Sequence, residues 1–583
     1  MAPDNFVEVS FEVANKVGGI YQVIKSKTST MKEYYGDDYI TVGFYDEESA
    51  LDEFATRDFP EWEEAIEEVE ESGIDVHSGV WTIPGSPRCI LVDASDMDKS
   101  VDEIKEELWE DYGIDSIEAP PDFDEPVKWS YAVGVLLDRL EDELSGDTVF
   151  QFHEWLSGPA MFNVSAPTVF TTHATVLGRT LSNTDYDLET AIKQGQVEDS
   201  RARDFGVTAK HQVEKTAASE ADVFTTVSKT TGREAEAVLD VKPDAILSNG
   251  FNVEAFPSLE ELSYQHKKKK EKVKEFLRAY FEPYYDVELE DDPRILFTSG
   301  RYEFHNKGLD LFIDALSHVN ESEGDDIFVF IFVPSDVKGP KMEVLENISL
   351  YDELEDYVDS VMPELRRRIL SHITSGKDPK KGADELLSDS STIESLQRNF
   401  HKKQGEDAPL CAFDLNYEGD SILERLRDRG LTNSKDDRVK VVFYPTYLSV
   451  GDRLLSMDYN DAMVAASAGI FPSYYEPWGY TPVETAANGA MSITTDKAGF
   501  GQFLMENTSE DERKGIRILR RENFTDEEAA KNLADMVDDI VSYSKTEITE
   551  RKHNARRLAQ MTSWDRLGRN YREAHEMALE ENE

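Results

Sequence analysis

FVEVSFEVANKVGGI, at residues 6–20, combines a β-rich run, a loop with two adjacent glycines and the start of a helical segment. We predict a strand over residues 6–13 and a helix that begins near Ile20. A strand joined to a helix by a short glycine-containing loop is the repeating unit of parallel α/β sheets. This stretch therefore favours an α/β fold from the first residues onward.

Strand-like runs alternate with helical patterns along most of the remaining chain. They lie at 148–152, 168–172, 223–227 and 246–248, and then at 295–298, 327–333, 439–443, 469–471 and 492–494. Such alternation predicts parallel sheets with helices on both faces. The charged stretch 257–292 separates the two series, so we predict two doubly wound domains. Residues 345–435 are charged and poor in strand patterns, which indicates a helical insertion in the second domain.

The charge balance restricts the partners that the chain can have. Of its 583 residues, 119 are Asp or Glu and 62 are Lys or Arg, which gives a formal net charge of −57. A surface so acidic leaves no basic face for nucleic acid or for an anionic membrane. The acidic residues are dispersed along the chain, which indicates a property of the whole surface. Since molar salt would screen the self-repulsion, we expect a salt-adapted, haloarchaeal-like protein.

Cysteine content and apolar runs limit the class of protein further. Two cysteines, Cys89 and Cys411, lie far apart in the sequence and exclude a disulfide framework or a cysteine-based metal cluster. The longest apolar run, Ile327 to Val333, is far shorter than the roughly 20 residues that span a bilayer. No signal peptide is visible at the first residues, and we expect a soluble, cytoplasmic protein.

Polar residues at the carboxyl ends of strands are the candidates for ligand binding, because ligands of open α/β sheets bind there. Lys16 and Gly19 follow the first strand. The amides of a helix start favour anions, although a plain strand–helix turn fits the same residues. His153 follows the strand at 148–152, where it is either a ligand contact or a buried core group. His173 follows the next strand in the same way.

Two cations follow the strand at 295–298. Arg301 and Lys307 bracket a glycine-containing turn in a chain that is short of basic residues. A guanidinium fork and a mobile ammonium can together hold a diphosphate. A pair of surface salt bridges is the alternative interpretation.

The stretch 471–484, FPSYYEPWGYTPVE, places Glu476 and Glu484 eight residues apart around a predicted helix start. Thr481 is predicted as the N-cap and Pro482 as the first helical residue, which would make Glu484 a capping-box acid. The helix start can hold a phosphate, and the carboxylates can accept hydrogen bonds from sugar hydroxyls. A sugar nucleotide offers both groups.

Several long stretches of this chain resemble glycogen synthases of the animal and fungal type. They are FEVANKVGGIY at 11–21, FHEW at 152–155, FTTHATVLGR at 170–179, FTTVS at 224–228, GRYEFHNKG at 300–308 and 471–482. Those enzymes are retaining glycosyltransferases of the GT-B fold, in which two Rossmann-like domains face a cleft. The resemblance implies an N-terminal acceptor-side domain over 1–275, completed by a C-terminal helix at 560–583. It implies a nucleotide-sugar domain over 276–559 with the helical insertion at 345–435.

The resemblance also implies roles for individual residues. His153, Arg301, Lys307 and Glu476 would be catalytic: His153 beside the transferred glucose, the two cations on the leaving diphosphate, and Glu476 on glucose hydroxyls. The implied substrate-binding residues are Lys16, Gly19, Asn249, Tyr447, Tyr459, Tyr480, Thr481 and Glu484. Among these, Glu484 would hold the ribose, and Tyr447 and Tyr459 would sandwich the uracil ring. No metal or other cofactor is expected, because protein cations take the charge of the diphosphate.

The expected reaction is transfer of glucose from UDP-glucose to the non-reducing end of an α-1,4-glucan, with retention. Three alternatives stay open: a same-fold transferase that uses ADP-glucose or another acceptor, a sugar-nucleotide epimerase, and a catalytically silent glucan-binding protein. The family's tetramers imply a homo-oligomer. Several positions of the family's regulatory arginine cluster are replaced in residues 551–557, so activation by glucose 6-phosphate does not carry over by resemblance.

Overall fold

The computed structural model describes residues 2–582 except 185, 196, 254–255, 287–288, 290–291, 382–399 and 401–402, with the backbone alone at 259 and 263. Part of the predicted insertion at 345–435 therefore lies outside the described residues.

The first sheet contains the strands β1 to β9 in the spatial order β3-β4-β5-β2-β1-β6-β7-β8-β9. The strands are β1 (Asn5–Val9), β2 (Tyr39–Phe44), β3 (Phe54–Thr56), β4 (Asp75–Trp81), β5 (Arg88–Asp93), β6 (Thr148–His153), β7 (Thr168–Thr172), β8 (Val223–Thr226) and β9 (Ala245–Ile246). All neighbours from β5 to β9 in this order run parallel, and β3, β4 and β5 pair antiparallel.

Helices cover both faces of this sheet. They are α1 (Gly19–Tyr35), α2 (Glu47–Glu53), α3 (Glu63–Glu70), α4 (Val101–Tyr112), α5 (Asp124–Glu143), α6 (Glu154–Met161), α7 (Val176–Ser182), α8 (Leu188–Gln194), α9 (Arg201–Asp204), α10 (Thr208–Glu220) and α11 (Lys229–Leu239). The strand predicted at 6–13 was too long, because β1 ends at Val9. Residues 10–15 form a turn in which Ala14 has a φ of 52°, and this turn brings Glu12 back over the start of α1.

The second sheet is parallel throughout, in the order β14-β11-β10-β15-β16-β17. Its strands are β10 (Arg294–Ser299), β11 (Ile327–Phe332), β14 (Val439–Phe443), β15 (Ala468–Ile470), β16 (Met491–Thr495) and β17 (Ile516–Leu519). Its helices are α12 (Leu259–Phe281), α13 (Leu309–Asn320), α16 (Tyr459–Ala465), α17 (Tyr480–Ala487), α18 (Gly499–Asn507), α19 (Asp526–Ser542) and α20 (Lys545–Ala559). The predicted pair of doubly wound parallel sheets is confirmed.

The inserted segment is helical, as predicted, but it also carries a small sheet. Helix α14 (Met342–Thr374) and helix α15 (Ser421–Asp428) lie within it. Strands β12 (Val337–Pro340) and β13 (Phe413–Leu415) pair antiparallel across it. The sequence did not predict these strands, because runs of three or four residues are too short to show a period.

The last helix, α21 (Trp564–Asn582), returns to the first sheet. Trp564 and Tyr571 are buried in one cluster with Phe6 and Val149 of β1 and β6. We call the first sheet, α1 to α11 and α21 the first lobe, and β10 to β17 with α12 to α20 the second lobe. Helix α12 packs on the second lobe, where Val273 and Leu277 join its core, so we propose a domain boundary ahead of residue 259 in place of 275.

No helix within the described ranges has the length and apolar character needed to cross a membrane.

Candidate active site

His153 ends β6 with its side chain inside the first lobe. The residue is 1% exposed. Its Nε2 donates to Oε1 of Glu8 over 2.7 Å, and its Nδ1 lies 3.0 Å from Nε2 of His173. Glu8 also forms an ion pair with the fully buried Lys27. Both ring nitrogens of His153 are therefore engaged inside the protein. His173 is 7% exposed, and its Nδ1 has no hydrogen-bond partner among the described residues.

Charge inside this network is set by burial and by the lysine. Burial disfavours the Glu8 carboxylate, but Lys27 and His153 outweigh it and lower the pKa of Glu8 to about 2. Burial lowers the pKa of both His153 and His173. At neutral pH the network therefore holds one carboxylate, which can only accept hydrogen bonds, against two neutral imidazoles.

Three buried carboxylates hold the loop that follows β7. Glu154 accepts hydrogen bonds from the amides of residues 173 and 174, Glu234 from the amide of Thr175 (3.0 Å) and Glu214 from the amide of Val176 (2.9 Å). Burial raises the pKa of all three, and that of Glu154 to about 7. Glu154 reaches its amides from a left-handed backbone with φ 66°, a conformation that costs energy outside glycine.

Arg179 of α7 is a cleft residue that the sequence reasoning did not single out. Burial alone would lower its pKa, but Glu154, Tyr475, Glu303 and Glu234 outweigh burial and raise it. Two of these four groups belong to each lobe, so Arg179 lies where the lobes face each other. Its place in the helix after β7, within the quoted stretch 170–179, was the signal that could have revealed it.

The loop after β1 differs from the expected anion site. The Glu12 carboxylate accepts hydrogen bonds from the amides of Gly18 (3.0 Å) and Tyr21 (2.8 Å), so a side chain of the protein already occupies the start of α1. Lys16 is exposed, and no described carboxylate pairs with it. A Cβ added at Gly19 would meet nothing within 4 Å. Lys16 and Gly19 therefore border open space beside an occupied helix start.

In the second lobe, Lys307 and Glu476 form an ion pair of 2.5 Å, and both side chains are mostly buried. The two loops that carry them touch at Gly308, where a Cβ would lie 2.1 Å from the carbonyl oxygen of Pro472. Glycine is thus required for this approach. Arg301 is 66% exposed and pairs with Glu303 at 2.9 Å. The structure therefore pairs Lys307 with Glu476 and leaves Arg301 exposed. Arg301 and Arg179 both interact with the charge of Glu303.

The predicted cap of the helix near Thr481 was wrong. The N-cap is Gly479, with φ 99°, and α17 begins at Tyr480, because glycine alone tolerates that backbone conformation. Glu484 makes no capping box. Its carboxyl is buried, which raises its pKa to about 7. No described group accepts a hydrogen bond from the amides of Tyr480 and Thr481, so this helix start is free to hold an anion.

The remaining predicted residues fall into two groups. Tyr459 lies beside Glu484, whose charge helps to raise the pKa of its hydroxyl, and it hydrogen-bonds Ser299 at 2.5 Å. The Tyr480 hydroxyl donates to the carbonyl of Gly250, next to Asn249, whose buried Oδ1 has no partner in the described chain. Tyr447 is 81% exposed and does not contact this group.

Polar contacts hold the two lobes together along one side of the cleft. Tyr475 donates to Glu234 at 3.0 Å, and Asn306 donates to Asn183 at 2.6 Å. Lys193 pairs with Glu522 at 3.0 Å. A cavity of about 320 Å³ lies between the lobes beside these contacts. Within the described residues, no group of three or more His, Cys, Asp or Glu side chains could hold a metal ion.

Comparison with known proteins shows which family this chain resembles. A family model described as glycogen synthase matches residues 8–582. The chain is 34% identical to the glycogen [starch] synthase of Neurospora crassa, over 98% of this chain and 83% of that protein. It is 33% identical to glycogen [starch] synthase isoform 1 of Saccharomyces cerevisiae (98% and 85%) and 31% identical to the mouse liver enzyme (98% and 83%).

The fold has a solved counterpart at low sequence identity. The catalytic domain of starch synthase IV from Arabidopsis thaliana, bound to ADP and acarbose, aligns with a TM-score of 0.51 and 13% identity over 99% of both chains. This likeness bears on the fold alone. The family match over nearly the whole sequence, together with relatives above 30% identity, shows that the chain belongs to the glycogen synthase family.

Proposed function

We propose that this protein transfers glucose from UDP-glucose to the non-reducing 4-hydroxyl of an α-1,4-glucan with retention of configuration. The observation that carries the proposal is the Lys307–Glu476 ion pair at the carboxyl edge of the second sheet. It puts a cation and a hydrogen-bond acceptor at one point of the cleft, as a sugar diphosphate requires.

The leaving diphosphate would be held by cations and amides. Lys307 and Arg301 supply charge, and the free amides of Tyr480 and Thr481 supply the positive end of α17. Arg179 adds a third cation from the opposite lobe. Such preorganised donors stabilise the charge that develops as the glycosidic bond to phosphate breaks. Because these groups already carry the positive charge, the proposal assigns no metal to this step.

The sugar and the nucleoside would be bound by acceptors and aromatic rings. Glu476 would accept hydrogen bonds from glucose hydroxyls, and Glu484 from the two ribose hydroxyls. The unpartnered Oδ1 of Asn249 is a further acceptor near the start of α17. Tyr459 and Tyr447 would flank the uracil ring, and the exposed Tyr447 would have to move to do so.

The acceptor would attack on the face from which the diphosphate departs. No described residue in the cleft combines a free nucleophile with an adjacent base, so we propose that the departing diphosphate itself takes the proton of the acceptor hydroxyl. His153 would act through His173 and not by direct contact, since both of its ring nitrogens are engaged. Closure of the lobes would exclude water from the donor.

The proposal includes a cytoplasmic location, a salt-adapted host and a homo-oligomeric, tetrameric assembly, all by resemblance or composition.

The decisive experiment is incorporation of labelled glucose into glycogen in concentrated KCl, with UDP-glucose and ADP-glucose compared as donors. Lys307→Ala and Arg301→Ala should each lower kcat by about 100-fold or more, as the loss of a single charge-stabilising donor does. Arg569→Ala, which removes an exposed charge on α21, is the matched control. Comparable incorporation by Lys307→Ala would refute the proposed mechanism, and no incorporation from either donor would favour a silent glucan-binding protein.

A further inference from the structure

A second cavity, of about 330 Å³, lies at the edge of the second lobe beside β17 and the start of α20. Its lining is basic, although the protein as a whole is strongly acidic. The charged groups that line it are Arg513, Lys514, Arg517, Arg520 and Arg551, with the two carboxylates Glu510 and Asp511. We call this the β17 cavity. Cations outnumber acids there, whereas acids outnumber cations nearly two to one in the chain.

Few of these cations have a carboxylate partner. Within the described part of the chain, Arg517 alone among the five forms an ion pair, with Asp539 at 2.8 Å. Arg513 donates to the carbonyl of Thr508 at 2.8 Å and interacts with the charge of Glu510 without forming an ion pair. Arg520 reaches only the sulfur of Met505. The surplus of positive charge in the cavity is therefore not neutralised by the protein.

Arg551 provides a second, independent observation about this cavity. Its guanidinium stacks on the ring of Tyr543 at 3.8 Å, and its Nε is buried without a hydrogen-bond partner in the described chain. An unsatisfied buried donor on a cation costs free energy. The crowding has a further cost, since burial and the charge of Arg520 together lower the pKa of Arg513. An anion in the cavity would offset the repulsion between Arg513 and Arg520.

We propose that the β17 cavity binds a small anion that carries two or more phosphate groups. Guanidinium forks match phosphate oxygens in pairs, and several forks around one cavity favour a multiply charged ligand over a single carboxylate. The volume suits a small molecule. Glu510 and Asp511 at the cavity, and the acidic surface beyond it, would repel a long polyanion such as nucleic acid.

The β17 cavity is separate from the cleft and from the cavity beside it on α20. It shares no residue with the candidate active site. Of the stretch 551–557, Arg551 alone lines it. Lys552 and His553 line a different cavity together with His266, and the Arg556 guanidinium donates to the carbonyl of Ala487 at 2.7 Å. The proposal therefore concerns a site of its own and does not rest on the proposed glucosyl transfer.

The test is the thermal midpoint of the full-length protein at constant KCl, with inorganic pyrophosphate, tripolyphosphate and orthophosphate as probes. Saturation at about 100 times Kd should raise the Tm of a protein of this size by roughly 2 °C. The double variant Arg513→Gln/Arg551→Gln should lose this rise and bind pyrophosphate about tenfold more weakly or worse in calorimetry. Orthophosphate should act more weakly than pyrophosphate.

Two controls make the result decisive. Arg569→Gln should keep the full rise, because this residue lines no cavity named here. The measurement is repeated in the Lys307→Ala background, in which the cleft has lost a cation proposed to hold a diphosphate, and there the double variant should still remove the remaining rise. A rise of equal size in every variant would reveal only the general stabilising effect of phosphate salts and would overturn the proposal. Binding of a phosphopeptide without binding of pyrophosphate would overturn it as well. If the double variant does not fold, Lys514→Gln, an exposed change, takes its place with the same expectation.

Discussion

Glu8 and His153, 145 residues apart in the sequence, share a hydrogen bond of 2.7 Å inside the first lobe. The ionised Glu8 can only accept, so the proton of His153 lies on Nε2 and its Nδ1 accepts from His173. The tautomer of His173 is thus set, through His153, by a carboxylate that is itself fully buried.

Exchange of Glu8 and its counter-ion together, in Glu8→Gln/Lys27→Met, should lower kcat by about 100-fold with little change in the KM for UDP-glucose, because the His173 ring loses its orientation. The double change avoids leaving Lys27 buried and unpaired. Nitrogen NMR of the imidazoles should show a changed tautomer. Tyr39→Phe, which removes the 2.6 Å hydrogen bond from that hydroxyl to Glu8 but leaves the carboxylate and His153 in place, is the control. An unchanged kcat with a changed tautomer would contradict the assignment.

The buried carboxyl of Glu484 should lower the stability of the folded protein at alkaline pH, although we propose that its ionised form binds the donor. Burial raises its pKa from 4.5 to about 7, so the folded protein retains a proton that the unfolded chain releases. The contribution of Glu484 to stability is fully present below pH 4.5 and is lost as the pH rises through about 7. Glu484→Gln should therefore stabilise the protein at pH 8 by about 1–3 kcal/mol and have no effect near pH 4, as measured by calorimetric unfolding.

The raised pKa of Glu484 also predicts how donor binding depends on pH. Ribose hydroxyls need the ionised carboxylate, so the KM for UDP-glucose should rise as the pH falls below about 7. In Glu484→Gln the KM should be high and independent of pH. A wild-type KM that stays constant between pH 6 and 8 would contradict the ribose role.

Gly18 and Gly19 should respond differently to substitution. A Cβ at Gly18 would lie 2.6 Å from Oε1 of Glu12, so Gly18→Ala should displace that carboxylate from the start of α1 and cost about 1 kcal/mol. At Gly19 the space is open, so Gly19→Val should leave Tm nearly unchanged and raise the donor KM, about tenfold or more if two methyl groups reach the donor. Equal effects of both changes on Tm would contradict this account.

Concentrated salt should stabilise the protein. With a net charge of −57, self-repulsion acts over a Debye length that shrinks to about 3 Å in 1 M salt. We expect Tm to rise by several degrees from 0.1 M to 3 M KCl, measured by scanning calorimetry. A Tm that does not depend on KCl would remove the hypothesis of salt adaptation.

Several parts of the fold could be predicted from the sequence. Five of the six strands of the second sheet were predicted to within two residues, because buried parallel strands are continuous apolar runs bounded by turn residues. Strand β17 (Ile516–Leu519) was missed. Strands β2, β3, β4 and β5 were missed, since they lie in a stretch whose charged helices obscure the period. The N-cap at Gly479 was missed because a capping pattern at Thr481 competed with a backbone conformation that only glycine permits.

Some residues of the candidate site could likewise be predicted from the sequence, and others could not. Lys307 and Glu476 could be singled out because each directly follows a predicted strand, and strand ends are local features of a sequence. The carboxylates Glu154, Glu214 and Glu234 could not, because their roles depend on backbone amides that lie far away along the chain. Arg179 lay in the quoted stretch 170–179, but its charge partners in the other lobe did not show in the sequence.

By itself, the sequence determined the alternation of strands and helices, the acidic surface and the cations that follow the strands, since these depend on composition and short-range spacing. Only the tertiary structure decided which of these charges meet: that Lys307 faces Glu476, that Arg301 stays exposed, that Glu12 fills a helix start and that five cations line the β17 cavity. The reason is physical. Charge pairing and desolvation depend on distances between segments that no local pattern encodes.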